Sequence, residues 1–142
     1  MSQVPDYDGS RNLSLQGQGP LGEGLNLEIR LGESVLLGRS RHCDWSLKST
    51  PTWLRSQDDE RKRIRRSLGW RTTSRRHCRI TYLAPDLVEV RSLSPNGTLV
   101  DTHRVDRIVL TDCREATHEI RLGVSGETLH LLNAGRNGGE ST

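Results

Sequence analysis

Phenylalanine is absent from this 142-residue chain, and aromatic residues of all kinds make up only 4% of it. Apolar content is low as well, at 32%. A folded core must therefore be assembled from Leu, Val, Ile and the three Trp residues, which is easier if the chain ends lie outside it. Long hydrophobic runs are missing too. Val35-Leu36-Leu37 and Ile108-Val109-Leu110 are typical of what there is, and nothing of that length spans a bilayer. The N-terminus has no basic-then-apolar pattern, so no signal peptide is expected. The three cysteines, Cys43, Cys78 and Cys113, are odd in number and widely spaced. That argues against a disulfide framework and for reduced, partly buried thiols in a cytoplasmic protein.

Charge is present in quantity and unevenly placed. The net charge is only +3, yet residues 51–76 hold nine Lys/Arg against three acids, a local excess of six. Such a field favours anionic partners: phosphopeptides, acidic peptides or nucleic acid. Outside that block the period is two. Leu25, Leu27, Ile29 and Leu31 alternate with polar residues, as do Cys78, Ile80 and Tyr82. Ser34–Arg39, Leu87–Leu93, Leu99–Val105, Ile108–Leu110, Ile120–Val124 and Thr128–Leu132 read as further strands. Turn signals at Ala84-Pro85-Asp86, Ser94-Pro95-Asn96-Gly97 and Ser125-Gly126 separate them. Many short strands with close turns predict an all-β antiparallel sandwich. Within residues 51–71 a short helix is expected, capped by Ser56 with Asp59 three residues on, ended by Gly69 and only weakly docked. Residues 1–24 and 134–142, rich in Gly, Ser and other small or polar residues, read as flexible tails flanking a domain at 25–133.

Three short pieces carry chemistry: Gly38-Arg39, Ser74-Arg75-Arg76-His77 and Asn96-Gly97-Thr98. Arginine offers a planar fork of donors matched to phosphate. Serine adds a hydroxyl, and asparagine an amide that can hold a peptide backbone from both sides. The set suits gripping a phosphorylated peptide rather than breaking a bond. Ser74 and His77 lack the oriented acid and oxyanion pocket of a nucleophile–base pair, and no G-x-S-x-G turn is present. No catalytic residues are therefore assigned. His42-Cys43, His77-Cys78, Cys113 and His118 do not have the spacing of a zinc knuckle, and strand neighbours point to opposite faces. Neither a metal nor another cofactor is expected.

With these motifs the chain resembles the forkhead-associated (FHA) family from about Leu25 to Leu132. Gly38-Arg39-Ser40 with Cys43-Asp44 and Leu47 is similar to the family's G-R-S…C-D-x-x-L stretch. Ser74-Arg75-Arg76-His77 with Ile80 is similar to S-R-x-H-x-x-I, and Ser94-Pro95-Asn96-Gly97-Thr98-Leu99-Val100 to S-x-N-G-T-x-V. The resemblance implies a β-sandwich of about eleven strands that binds phosphothreonine peptides through loops at one end; the short helix in the basic insertion loop is read from the residues alone. It implies Arg39, Ser74 and Arg75 on the phosphate and Asn96 on the peptide backbone, with Gly38, His77 and Gly97 supporting the site. Trp45 falls on a short strand, where core packing is expected.

Three departures qualify the match. An extra basic stretch at about 50–72 separates the first two motifs and enters beside the binding loops. Pro95 removes a side-chain contact, and Asp101 is expected to repel an incoming dianion. The resulting expectation is a non-enzymatic phosphothreonine-peptide recognition module working in signalling, with a monomer favoured and no membrane association. The alternative is a phosphate-independent interaction domain whose site is remodelled by the insertion. Nucleic-acid binding through that insertion is the less favoured third reading.

Overall fold

The period-two alternation resolves into eleven strands in a computed structural model that describes residues 12–136. In chain order they are β1 (Leu13–Gly19), β2 (Asn26–Ile29), β3 (Ser34–Gly38), β4 (Trp45–Ser46), β5 (Cys78–Ala84), β6 (Leu87–Ser92), β7 (Thr98–Val100), β8 (His103–Val105), β9 (Arg107–Leu110), β10 (His118–Leu122) and β11 (Glu127–Asn133). They form two sheets, one ordered β2-β1-β11-β10-β7-β8 and the other β4-β3-β5-β6-β9. All pairings are antiparallel except β3 with β4, which run parallel with Leu37 opposite Trp45 and Gly38 opposite Ser46.

One face of each sheet supplies the core. Val35 and Leu37 of β3, Cys78, Ile80 and Tyr82 of β5, and Val88 and Val90 of β6 are buried on one side. Ile120 and Leu122 of β10 and Leu129 and Leu131 of β11 meet them from the other. Each fully buried aliphatic contributes roughly 1.5–3 kcal/mol by leaving water. Trp45 does much of what phenylalanine does elsewhere: it is fully buried, and its indole N–H donates to the Leu25 carbonyl at 2.9 Å. The three cysteines are free and buried.

The expected N-terminal tail is corrected by the structure from residue 12 onward. β1 lies between β2 and β11, with Leu15 paired to Leu27 and Leu131, and Leu13 and Leu15 reach the core. The reason it escapes a period-two reading is compositional. Gly17 and Gly19 stand where the alternation would need apolar side chains. The segment that follows is pinned by a buried carboxylate: Glu127 accepts from the Leu21 and Gly22 N–H groups at 2.9 and 2.6 Å. Burial raises the pKa of Glu127, and those N–H bonds act in the opposite direction. Of the tails expected at 1–24 and 134–142, residues 1–11 and 137–142 lie outside the described residues, and Ala134–Arg136 forms a 3₁₀ turn after β11.

The insertion also differs from expectation. It is three helices, α1 (Pro51–Arg55), α2 (Asp58–Arg66) and α3 (Leu68–Thr72). Ser56 ends α1, its hydroxyl donating to the Trp53 carbonyl at 2.6 Å, while Glu60 accepts from the Gln57 N–H at 3.0 Å to start α2. Gly69 sits within α3 and is buried. The insertion is firmly docked because Trp53 and Trp70 stack with centroids 4.6 Å apart, both buried, with Ile64 packed on the core. A thin helical stripe underestimated this docking, since the two Trp residues flank the amphipathic run instead of belonging to it.

Candidate functional site

Three connections meet at one end of the sandwich: the loop from β3 to β4, the stretch between α3 and β5, and the loop from β6 to β7. Backbone bonds lock the first two together. The Arg39 N–H donates to the Ser74 carbonyl at 3.0 Å, Ser40 N–H to Arg75 at 3.1 Å, and His77 N–H to Leu37 at 2.8 Å. This zipper requires Gly38. A Cβ there would overlap the Arg75 carbonyl and lie 2.9 Å from the Ser74 oxygen. Backbone cannot yield as a flexible side chain can, so Gly38→Ala is expected to cost about 1–3 kcal/mol. Equilibrium denaturation measures the loss, and unchanged stability would show that the zipper does not need the close approach.

His77 joins the third loop. It is fully buried; its Nδ1 accepts from the Ser74 N–H at 2.9 Å and its Nε2–H donates to the Gly97 carbonyl at 2.7 Å. Those two partners require a neutral ring with the proton on Nε2. Burial lowers its pKa, against the opposing pull of the Gly97 carbonyl. Gly97 has φ of +87° and closes the turn by donating to Ser94 at 3.1 Å. A Cβ there would also crowd the Arg104 guanidinium.

The functional side chains sit on this frame. Ser74 Oγ lies 2.5 Å from Ser94 Oγ, and Ser94 Oγ accepts from the Asn96 N–H at 3.0 Å. Ser94 is thus a site residue that the Ser94–Val100 motif match included but gave no role. Asn96 is exposed, and its amide donates to the Thr72 carbonyl at 3.0 Å. Arg39 is half-buried and reaches the Trp70 carbonyl at a long 3.5 Å. Both contacts belong to α3, so the insertion holds Asn96 through its backbone and only grazes Arg39.

Arg39 and Arg75 line one cavity of about 230 Å³ together with Ser40, Arg41, His42 and Lys48. None of the six is acidic. Lys48 and Arg41 are residues that motif reading missed. Lys48 falls on a 3₁₀ turn, Leu47–Ser49, after β4 and reaches the cavity only through tertiary folding. Burial first, and then the charges of Arg41, Arg65, Arg39 and Arg75, lower its pKa. Asp101, expected to repel an incoming dianion, is not among the residues that line the cavity. The length of β7 separates Asp101 from Asn96, and the Asp101 carboxylate accepts from the Glu119 N–H at 2.8 Å and pairs with His118 at 2.5 Å. His118 also contacts Asp112 at 2.6 Å. Burial disfavours its charge, but the two carboxylates outweigh burial and raise its pKa.

A family model described as FHA domain matches residues 35–123. Among solved structures, an FHA domain from a study of phosphothreonine-dependent FHA interactions shares 23% identity and a TM-score of 0.57, over 85% of this chain and 95% of its own. The FHA domain of CT664 from Chlamydia trachomatis shares 17% identity with a TM-score of 0.60, over 85% and 96% of the two chains. The FhaA FHA domain, solved with the intracellular domain of Rv3910, shares 24% identity with a TM-score of 0.54, over 84% and 98%. No curated protein sequence matches the chain.

Proposed function

Because this chain belongs to the FHA-domain family, we propose that it is a phosphothreonine-reading module that mediates phosphorylation-dependent association with a partner protein. The observation that carries this reading is the acid-free cavity lined by Arg39 and Arg75; Ser74 and Asn96 do not line it, but the same hydrogen-bonded loop frame holds them. In this reading Arg39 forks onto the phosphate, Ser74 turns its hydroxyl from Ser94 to a phosphate oxygen, and Arg75 and Lys48 add charge. Asn96 holds the peptide backbone. The family is one of interaction modules, and one of the related structures comes from work on phosphothreonine-dependent interactions. None of the proposed steps forms or breaks a covalent bond.

A phosphothreonine peptide library, with the unphosphorylated and phosphoserine versions as controls, tests it. Binding confined to phosphothreonine members is expected. Equal binding of phosphorylated and unphosphorylated peptides would overturn the reading in favour of a phosphate-independent interaction surface.

A further inference from the structure

The cationic surface does not end at the first cavity. Arg41 and Lys48 also line a second one of about 330 Å³, completed by Trp53, Leu54, Arg61 and Arg65 of the insertion. Four of its six lining residues are cationic and none is acidic. Arg61 is held in place, donating from Nη2 to the Trp53 carbonyl at 3.0 Å and from Nε to Ser56 Oγ at 3.1 Å. Its guanidinium lies 4.5 Å over the Trp53 ring, and that of Arg65 lies 5.3 Å from the same ring. Among the described residues neither arginine has a carboxylate partner. The acids of α2, Asp58, Asp59 and Glu60, are confined to its first turn. Unpaired, partly fixed cations around an open cavity are a poor use of charge unless an anion joins them.

We infer that this second cavity is a subsite for a second anionic side chain of the same peptide, so that the domain selects doubly anionic segments. The inference rests on the phosphothreonine reading, because continuity through Arg41 and Lys48 places the subsite beside the proposed phosphate cavity. Nucleic acid fits less well. The one aromatic ring in the cavity, Trp53, is only 6% exposed and lies between Trp70 and the Arg61 guanidinium, so no face is free to stack a base.

The test takes a phosphothreonine peptide that the domain binds and adds phosphoserine, or in a second arm glutamate, at each position from one to six residues away. At the best position a second anion is expected to tighten binding by about tenfold in fluorescence anisotropy. Arg65→Ala, on an exposed helical position that alanine suits, should remove that gain and leave the singly phosphorylated affinity unchanged. Arg65→Glu should turn the gain into a penalty. No gain at any position in either arm, or a gain that survives Arg65→Ala, overturns the subsite while the phosphothreonine reading stands. Failure of every phosphothreonine peptide to bind overturns both. Duplex DNA that displaces the doubly anionic peptide from the native protein, but not from Arg65→Ala, would reassign the cavity to nucleic acid.

Discussion

Arg39→Ala is expected to abolish measurable phosphothreonine-peptide binding while the domain stays folded. A charge-assisted hydrogen bond is worth about 1.5–3 kcal/mol, and losing it lowers affinity by about ten- to a hundredfold. On the proposed reading Arg39 should sit at the upper end, because it belongs to a cavity lined by cations and by four consecutive residues from the β3–β4 loop. Stability should hardly change. Among the described residues the Arg39 side chain makes one hydrogen bond, the 3.5 Å contact with the Trp70 carbonyl, too long to contribute much. Arg39→Lys keeps the charge and loses the fork, so it should fall between the two. Arg41→Ala, at the shared rim of both cavities, should cost less. Calorimetry with the best library peptide, alongside thermal melting, makes the comparison. Unchanged affinity in Arg39→Ala would sink the assignment of the phosphate to this cavity.

His77→Ala is the substitution expected to harm the fold most among the site residues. It strands the Ser74 N–H and the Gly97 carbonyl, each at a cost of about 1–3 kcal/mol when left unpaired, and it opens a void in the loop frame. The two unpaired groups alone, at roughly 2–6 kcal/mol together, would be a large share of the stability of a domain of this size. His77→Gln, which can restore one bond, should lose less. The pH dependence separates this role from simple packing. His77 has a lowered pKa in the folded state, so the unfolded chain binds the proton more readily, and protonation favours unfolding. The stability margin of the native protein over His77→Gln should therefore be full above pH 6.5. It should shrink as pH falls below that value, by up to about 1.4 kcal/mol per unit. Measuring the margin rather than the native protein alone matters. His118 titrates in the opposite sense, its stabilisation being present at low pH and lost as pH rises through its raised pKa, and the subtraction cancels it. A margin that stays flat from pH 8 to 5 would show that His77 only fills space.

Much of the sandwich is legible without coordinates because its strands bury one face. Ile80 and Tyr82, Val88 and Val90, and Ile120 and Leu122 carry the alternation that the pleat demands. β1 is not legible, since its inward face passes from leucine to glycine and the pattern fades after two residues. The three helices of the insertion are only partly so. Their docking depends on Trp53 meeting Trp70, seventeen residues on in the chain, and no periodicity connects those positions.

At the site the division is similar. The residue types that suit a phosphate, Arg39 and Ser74, and the amide of Asn96 are in the sequence, and so is the glycine that each tight turn needs. Local chemistry determines these, because a guanidinium, a hydroxyl and a positive φ are properties of single residues. The tertiary structure decides that Lys48 and Arg41 share a cavity with Arg39 and that His77 locks two loops through opposite ring nitrogens. It also decides that the insertion holds Asn96 through the Thr72 carbonyl and that Asp101 is engaged at the far end of β7 by His118. Those facts depend on distances between residues far apart in the chain, and only the packing of the two sheets sets such distances.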